Sequence, residues 1–213
     1  MRHLALFLAP LTLALVSATG CASFKIKDKP AGYIEVSEYT GYQGAADLRM
    51  KAPDNVGLSV KTFANFEGGS LPLWSEDLVK KLGVRGYVLT SQKPVESANG
   101  VAGTRFDFRY IPHGADEEKF YTALLFISDD WRIVAQFAGT AELEAAHEKD
   151  ISALLSELKV RGCKASEKTC KGPQPGPLAT PKANLESLEA KRAELAAKAA
   201  EEAAKAAEPA PAG

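Results

Sequence analysis

The residues of this chain that can do chemistry are three cysteines, a few histidines and scattered carboxylates. Cys21 follows an apolar stretch, whereas Cys163 and Cys170 lie close together late in the chain. His113 and His147 are the histidines left once the apolar start is set aside. None of these residues lies in a nucleophile elbow, an HExxH helix, a phosphate-binding glycine loop or a CxxC pair. The sequence therefore predicts no catalytic residue, no metal ligand and no cofactor.

Residues 1–20 have the pattern of a secretory signal peptide. Arg2 gives a basic start, Leu4 to Val16 is almost wholly apolar, and Ser17 to Gly20 are small. The apolar run is shorter than the roughly 20 residues that span a membrane. The end of the signal, Ala18-Thr19-Gly20-Cys21, resembles the lipobox of bacterial lipoproteins, although Ala18 stands where that family usually has leucine. An ordinary secreted protein with a cysteine near its cleavage site is the alternative.

The lipobox resemblance implies a compartment and an anchor. In that family the cysteine thiol receives a diacylglycerol, the signal is cut before the cysteine, and the new amine is acylated, typically with palmitate. Cys21 would then hold the protein on the membrane of the bacterial cell envelope. Because Ala22 rather than aspartate follows, the resemblance implies the outer membrane, with the protein facing the periplasm.

Cys163 and Cys170 are predicted to form a disulfide. Six residues separate them, so they are easily bridged, and a disulfide is the normal state of paired thiols in the envelope. Acylation of Cys21 would also remove the odd cysteine. A metal site is the alternative, but the spacing is not that of a zinc site and no histidine lies nearby.

The overall charge argues against a nucleic-acid partner. The formal net charge is −1, which is unlike the basic footprint of a nucleic-acid binder. Alanines of the signal and of the tail inflate the hydrophobic content of 46%, so the informative apolar residues are those between Tyr33 and Leu158. That span is long enough to bury a core. We expect a tether over 21–32, one globular domain over 33–171, a Pro-rich linker over 172–182 and an Ala/Glu/Lys-rich tail over 183–213.

Alternating and apolar segments predict an α+β domain with an antiparallel sheet of about five to seven strands. A short helix is expected over 76–82 with Ser75 as its N-cap, and a longer one over 141–158 with an apolar stripe. Both helices should pack on the sheet. The predicted strands cover 33–39, 48–51, 58–63, 87–91, 101–111, 120–128 and 131–137.

The end of the domain, WRIVAQFAGTAELEAAHEKDISALLSELK, is similar to the last strand and C-terminal helix of the PsbP-like fold. The resemblance covers about the last third of the domain and rests on pattern alone. It implies a small binding or accessory protein, and no functional residue is carried over from it.

Four prolines from residue 173 to residue 181 predict an extended linker before the tail. Residues 183–207 are dominated by strong helix formers. The tail is then either a spacer or docking helix across the periplasm, or a marginal helix without a partner.

The remaining polar residues give only weak candidates. His147 is expected at the edge of the core, and His113 in a hydrated loop where Asp116 and Glu117 could add weak cation binding. Asp107, between two arginines, is expected to make surface ion pairs. An enzyme using acidic residues would need several of Asp47, Asp54, Asp107, Asp129 and Asp130 to share a pocket.

The sequence thus predicts a non-enzymatic envelope lipoprotein. It would be anchored through Cys21 and would use its domain to bind an envelope protein partner. The alternatives are a carrier of a lipid or other small apolar ligand and, less favoured, an acidic-residue enzyme.

Overall fold

The computed structural model describes residues 22–36, 47–163 and 170–206. The helices are α1 (Leu71–Val84), α2 (Glu144–Glu157) and α3 (Lys182–Ala206), with a 3₁₀ turn at Ala141–Leu143 leading into α2. The strands are β1 (Phe24–Ile26), β2 (Ile34–Glu35), β3 (Leu48–Lys51), β4 (Gly57–Ala64), β5 (Val88–Glu96), β6 (Ala102–Tyr110), β7 (Lys119–Ile127), β8 (Trp131–Thr140) and β9 (Leu158–Val160).

Seven of the strands form one antiparallel sheet in the order β2-β3-β4-β8-β7-β6-β5. Helix α2 packs on one face through Ile151 and Leu154, which join Leu58, Ile133 and Phe137 in the larger core cluster. Helix α1 packs on the opposite face in a second cluster. The predicted α+β fold is therefore confirmed, and β7 is apolar on both sides because both of its faces are covered.

Helix α1 begins five residues earlier than the sequence pattern predicts. Ser70 is its N-cap and accepts a hydrogen bond from the backbone N–H of Leu73, with Pro72 in the first turn. The predicted cap, Ser75, is buried inside the helix. A proline in the first helical turn was the signal for this earlier start, because its missing N–H has no partner there in any case.

A two-stranded ribbon joins a segment of the predicted tether to the residues that begin where the predicted last helix ends, at Leu158. Strand β1 pairs antiparallel with β9, with Phe24 opposite Val160 and Lys25 opposite Lys159. Phe24 and Ile26 are half-buried against the larger core cluster. The main-chain hydrogen bonds between β1 and β9 therefore attach the start of the described chain directly to the domain.

The Pro-rich linker and α3 also lie against the domain. Gln92 of β5 donates through its side-chain amide to the carbonyls of Pro175 and Gly176 and accepts from the N–H of Leu178. Leu188 of α3 is buried in a small cluster with Val88 and Ile111. These contacts cover strand β5, which is the outer strand at that edge of the sheet. None of the described helices is both long enough and apolar enough to cross a membrane.

Cys163 and Cys170 form a disulfide just before the Pro-rich linker. Cys170 is buried, and its carbonyl accepts a hydrogen bond from the N–H of Ala102 beside β6. The disulfide therefore joins the end of the β1–β9 ribbon to the segment that runs on toward β5.

Replacing both cysteines with serine should lower the free energy of unfolding by about 2–3 kcal/mol, because the closed loop is short and its entropy in the unfolded chain is modest. The double variant avoids a leftover thiol. Urea unfolding followed by circular dichroism measures the change, with the exposed Ser152→Ala as control. Equal midpoints for the double variant and the unchanged protein would contradict the prediction.

Candidate functional site

The sheet has an open face where β3, β4 and β8 turn away from α2. Alternate residues of these strands point to that side, where α1 packs on Val134 of β8 and forms a wall along one edge of the face. Two adjoining hollows, of about 260 and 310 Å³, share Lys61, Tyr121 and Gln136 in their walls. Small residues, Gly57 and Ala138, form part of the floor. We call this surface the open sheet face.

Cations dominate the open sheet face. Arg49 and Lys51 of β3 and Lys61 of β4 line the first hollow, and the second adds the cations Lys81, Arg85 and Arg132. Among the described residues lining the two hollows, the only carboxylate is Asp77, which pairs with Lys81 at 2.7 Å. Asp47 lies at one end, where its N–H donates to the carbonyl of Val60. The whole chain has a net charge of −1, so the excess of cations is local to this surface. Such a surface is suited to an anionic partner.

Arg132 is held in place by aromatic rings. Its guanidinium carbon lies 3.7 Å from the ring centroid of Trp74 and 5.3 Å from that of Phe63. Stacking on a ring face leaves the edge of a guanidinium available for hydrogen bonds. The second hollow therefore has an ordered cation with an aromatic wall.

A separate polar cluster surrounds His147 on α2. Its Nδ1 lies 2.9 Å from the hydroxyl of Tyr33 and 2.8 Å from a carboxylate oxygen of Asp150, while Nε2 lies 2.8 Å from a carboxylate oxygen of Asp54. Donating to both carboxylates requires a hydrogen on each ring nitrogen. The hollow beside the cluster measures about 590 Å³. Because these polar groups bond one another, the cluster joins α2 to the β3–β4 turn and to the segment before β2.

The charges in this cluster shift two pKa values. The hydrogen bond from His147 lowers the pKa of Asp54 below its ordinary value. Burial, reinforced by the charges of Asp150 and Asp54, raises the pKa of Tyr33 above its ordinary value, so the hydroxyl stays protonated. A phenol that keeps its proton does not act as a base, so Tyr33 has a structural role in this cluster.

A buried ion-pair network lies between α2 and β6, which corrects the predicted surface location of Asp107. Arg105 and Asp107 have side chains only 5% and 7% exposed, with Nε to carboxylate at 2.7 Å. Both terminal nitrogens of Arg105 donate to Glu148 of α2, and Thr122 donates to Asp107 at 2.8 Å. The polar side of β6 is covered because α2 supplies the carboxylates that its arginines need.

Acid should destabilise the fold below about pH 4, the ordinary carboxyl range. Hydrogen bonds from Arg105 lower the pKa of Glu148, as His147 lowers that of Asp54, so the unfolded chain binds more protons than the folded one. Their stabilisation is complete above the unfolded pKa and is lost as pH falls through the folded values. Thermal melts from pH 7 to pH 2 should show this decline.

The variant Glu148→Gln should lessen that decline. The matched control is Glu142→Gln, which removes an exposed carboxylate that has no ion pair among the described residues. Equal acid slopes for Glu148→Gln and the unchanged protein would show that this carboxyl group does not contribute.

The structure disperses the other sequence candidates. Asp54 lies in the β3–β4 turn, Asp107 under α2, and Asp129 and Asp130 in the β7–β8 turn. Asp116 pairs with Lys198 of α3, and no group of three metal-ligating side chains occurs within residues 22–36, 47–163 and 170–206. His113 lines a small hollow beside α3, and Cys21 lies outside the described residues.

The open sheet face was not identified from the sequence, although a signal for it was present. In β3 and β4, Arg49, Lys51 and Lys61 alternate with apolar residues that point into the core. Alternation shows that one side of a strand is polar. It does not show which polar sides share a surface, because that depends on strand order.

Comparisons with known proteins give fold-level likeness only. No family model and no curated protein matches the chain. A solution structure of cyanobacterial PsbP from Synechocystis sp. PCC 6803 matches 68% of this chain and 96% of its own at 12% identity, with a TM-score of 0.44. A protein from Bacteroides thetaiotaomicron matches 68% of this chain and 47% of its own (11% identity, TM-score 0.40). A protein of unknown function from Pseudomonas aeruginosa matches 63% of this chain and 85% of its own, at 13% identity and with a TM-score of 0.39.

Proposed function

We propose that this protein is a non-enzymatic lipoprotein of the bacterial cell envelope whose open sheet face binds an acidic segment of a partner protein. The observation that carries the proposal is the charge of that face, where six cationic side chains and one carboxylate line two adjoining hollows. Complementary charge guides encounter and selects the partner. The anchor is the acylated Cys21, which places the domain in the periplasm at the outer membrane.

The shape of the face favours a protein segment over an enclosed small ligand. Each of its hollows is near or below the lower end of the roughly 300–1,000 Å³ range of small-molecule sites. Both open along the sheet, so an extended chain can lie across β3, β4 and β8. Gly57, Ser59 and Ala138 keep the floor low, while lysines and arginines stand at the rim.

The alternative, a carrier of a lipid or other apolar ligand, has one observation in its favour. The lining of the first hollow includes Val36, Ala138 and Tyr121. The lysine and arginine rim would then bind an acidic head group. Native mass spectrometry of the protein extracted from envelopes separates the two proposals, because a carrier retains a small molecule of defined mass.

Photo-crosslinking in intact cells tests the binding proposal. A benzophenone amino acid replaces Ser59, on the floor of the open sheet face, and in a matched variant replaces Ser152, which is exposed on α2. We expect a discrete protein adduct from position 59 and none of the same size from position 152. Adding Lys51→Glu and Lys61→Glu should abolish the adduct, and raising the salt concentration should weaken it.

Two results would contradict the proposal. One is the absence of any adduct from position 59 that is not also formed from position 152. The other is an adduct that survives both charge reversals, since an acidic segment would then be repelled. Repeating the capture without residues 182–213 shows whether α3 contributes to binding.

The anchor has its own test, independent of the partner. Cells fed labelled palmitate should incorporate it into the protein, and Cys21→Ser should abolish the incorporation. A protein whose mass after extraction shows no acyl chain on the cysteine would refute the anchor and leave the binding face untouched.

A further inference from the structure

The described chain enters the fold at one end of the sheet. Ser23 accepts from the N–H of Arg161 through its carbonyl, and its hydroxyl lies 2.8 Å from that of Thr62, near the end of β4. Two peptide links separate Ser23 from Cys21, so their Cα atoms can be no more than about 7 Å apart. A lipid on Cys21 would therefore hold this end of the domain directly at the bilayer.

The loop between β4 and α1, residues 65–70, lies at the same end. Its shape is fixed by Asn65, which is 2% exposed and donates to the carbonyls of Gly69 and Ser128. The amide oxygen of Asn65 accepts from the N–H of Gly69 and from the indole N–H of Trp74. All four hydrogen-bonding positions of this amide are used.

This ordered loop presents apolar side chains to the outside. Phe66 is 94% exposed. On either side of the loop in sequence, Phe63 near the end of β4 and Leu73 in the first turn of α1 are 44% and 53% exposed. The hydrogen bonds of Asn65 order this loop, so the exposure of Phe66 is a feature of the folded loop. Grouped exposed apolar residues mark an interaction site.

The β1–β9 ribbon beside the loop adds an unbalanced positive charge. Lys25 lies directly opposite Lys159, and Arg161 follows β9. All three are exposed, and in the part of the chain that the structure describes none has a carboxylate within ion-pair distance. Like charges placed opposite each other across a strand pair repel. An anionic surface would relieve that repulsion. The carboxylates at this end are Glu67 of the loop and Asp129 and Asp130 of the β7–β8 turn, whose backbones bond Gly162 and Asn65.

We propose that the 65–70 loop and the β1–β9 ribbon form a membrane-docking surface, with Phe66 inserted at the level of the acyl chains and the ribbon on anionic phospholipid head groups. This deepens the proposed function because it rests on the anchor at Cys21. The bilayer is the partner of this docking surface, because only Ala22 separates the anchored Cys21 from Ser23 and the domain end cannot lie far from the membrane. The open sheet face remains available to a partner because it extends from this end along the side of the sheet.

Quenching by brominated phospholipid tests the proposal on the full chain. The variant Phe66→Trp is reconstituted in vesicles of phosphatidylglycerol whose acyl chains carry bromine. Most of the added tryptophan emission should be lost relative to unbrominated vesicles. Val84→Trp is the matched control, because Val84 is 84% exposed at the far end of α1. Its added emission should persist, and Trp74 and Trp131 contribute equally to both variants.

The charge of the ribbon is tested in the same vesicles. Lys25→Gln with Lys159→Gln should reduce the quenching of Phe66→Trp on phosphatidylglycerol and leave it unchanged on phosphatidylcholine. Equal quenching of Phe66→Trp and Val84→Trp in acylated protein would overturn the docking surface while the anchor stands. Quenching of Phe66→Trp in protein whose mass lacks an acyl chain would refute the anchor and support the surface.

Discussion

Replacing Arg105 with alanine should lower the free energy of unfolding by about 3–5 kcal/mol, because a buried charge loses its partner. Asp107 would remain almost fully buried, with only the hydroxyl of Thr122 to donate to it among the bonds described for its carboxylate. Glu148 would lose two charge-assisted hydrogen bonds from the same guanidinium. Urea unfolding at pH 7 measures the loss, and the melting temperature should fall with it.

Lys93→Ala is the matched control for that experiment. Lys93 also pairs with Glu148, at 3.9 Å, but both side chains are about half exposed. Exposed pairs contribute at most about 1 kcal/mol. A loss for Arg105→Ala as small as that for Lys93→Ala would show that the network is solvated in solution and that α2 does not seal it.

The buried Arg105–Asp107 pair and the exposed Lys93–Glu148 pair look alike in the sequence, which is why Asp107 was predicted at the surface. Alternation in β6 correctly separates Phe106 and Phe108 from Arg105 and Asp107. It cannot show that the charged side is also buried, since that depends on whether a helix from elsewhere carries matching carboxylates. Glu144 and Glu148 provide them at helical spacing, but α2 is placed over β6 only by tertiary packing.

Features set by local sequence were predicted more accurately than features set by distant contacts. The strands of the main sheet follow from alternation and apolar runs, and the apolar stripe of the last helix identifies its buried side. The β1–β9 ribbon has too few residues for any local pattern, because three-residue strands acquire their identity from each other. The same holds for the open sheet face, whose cations come from strands and a helix far apart in sequence.

The polar partners of His147 show the same limit more sharply. The helical stripe correctly indicates a residue at the edge of the core. Its hydrogen bonds reach Tyr33 and Asp54, about a hundred residues earlier, and no local spacing relates those positions to α2. A tyrosine before a two-residue strand and an aspartate in a turn each have ordinary local explanations.

Phe137→Ala should also lower the free energy of unfolding by about 3–5 kcal/mol, because a large side chain leaves a cavity that its neighbours cannot fill. Phe137 is completely buried in β8 beneath α2, and its ring meets that of Tyr33 edge to face with centroids 6.3 Å apart. Its strand neighbours, Leu58 of β4 and Thr122 of β7, are fixed by the sheet. The cavity therefore stays open.

Phe66→Ala is the control for this substitution, since it removes the same atoms from a side chain that is 94% exposed. Its effect on unfolding in solution should lie within about 0.5 kcal/mol. Tyr33→Phe combined with Phe137→Ala should be non-additive, because the two rings touch and Tyr33 also bonds His147. Strict additivity would mean that the core and the His147 cluster are energetically independent. Comparable losses for Phe137→Ala and Phe66→Ala would contradict the burial of Phe137, and with it the packing of α2 on this face.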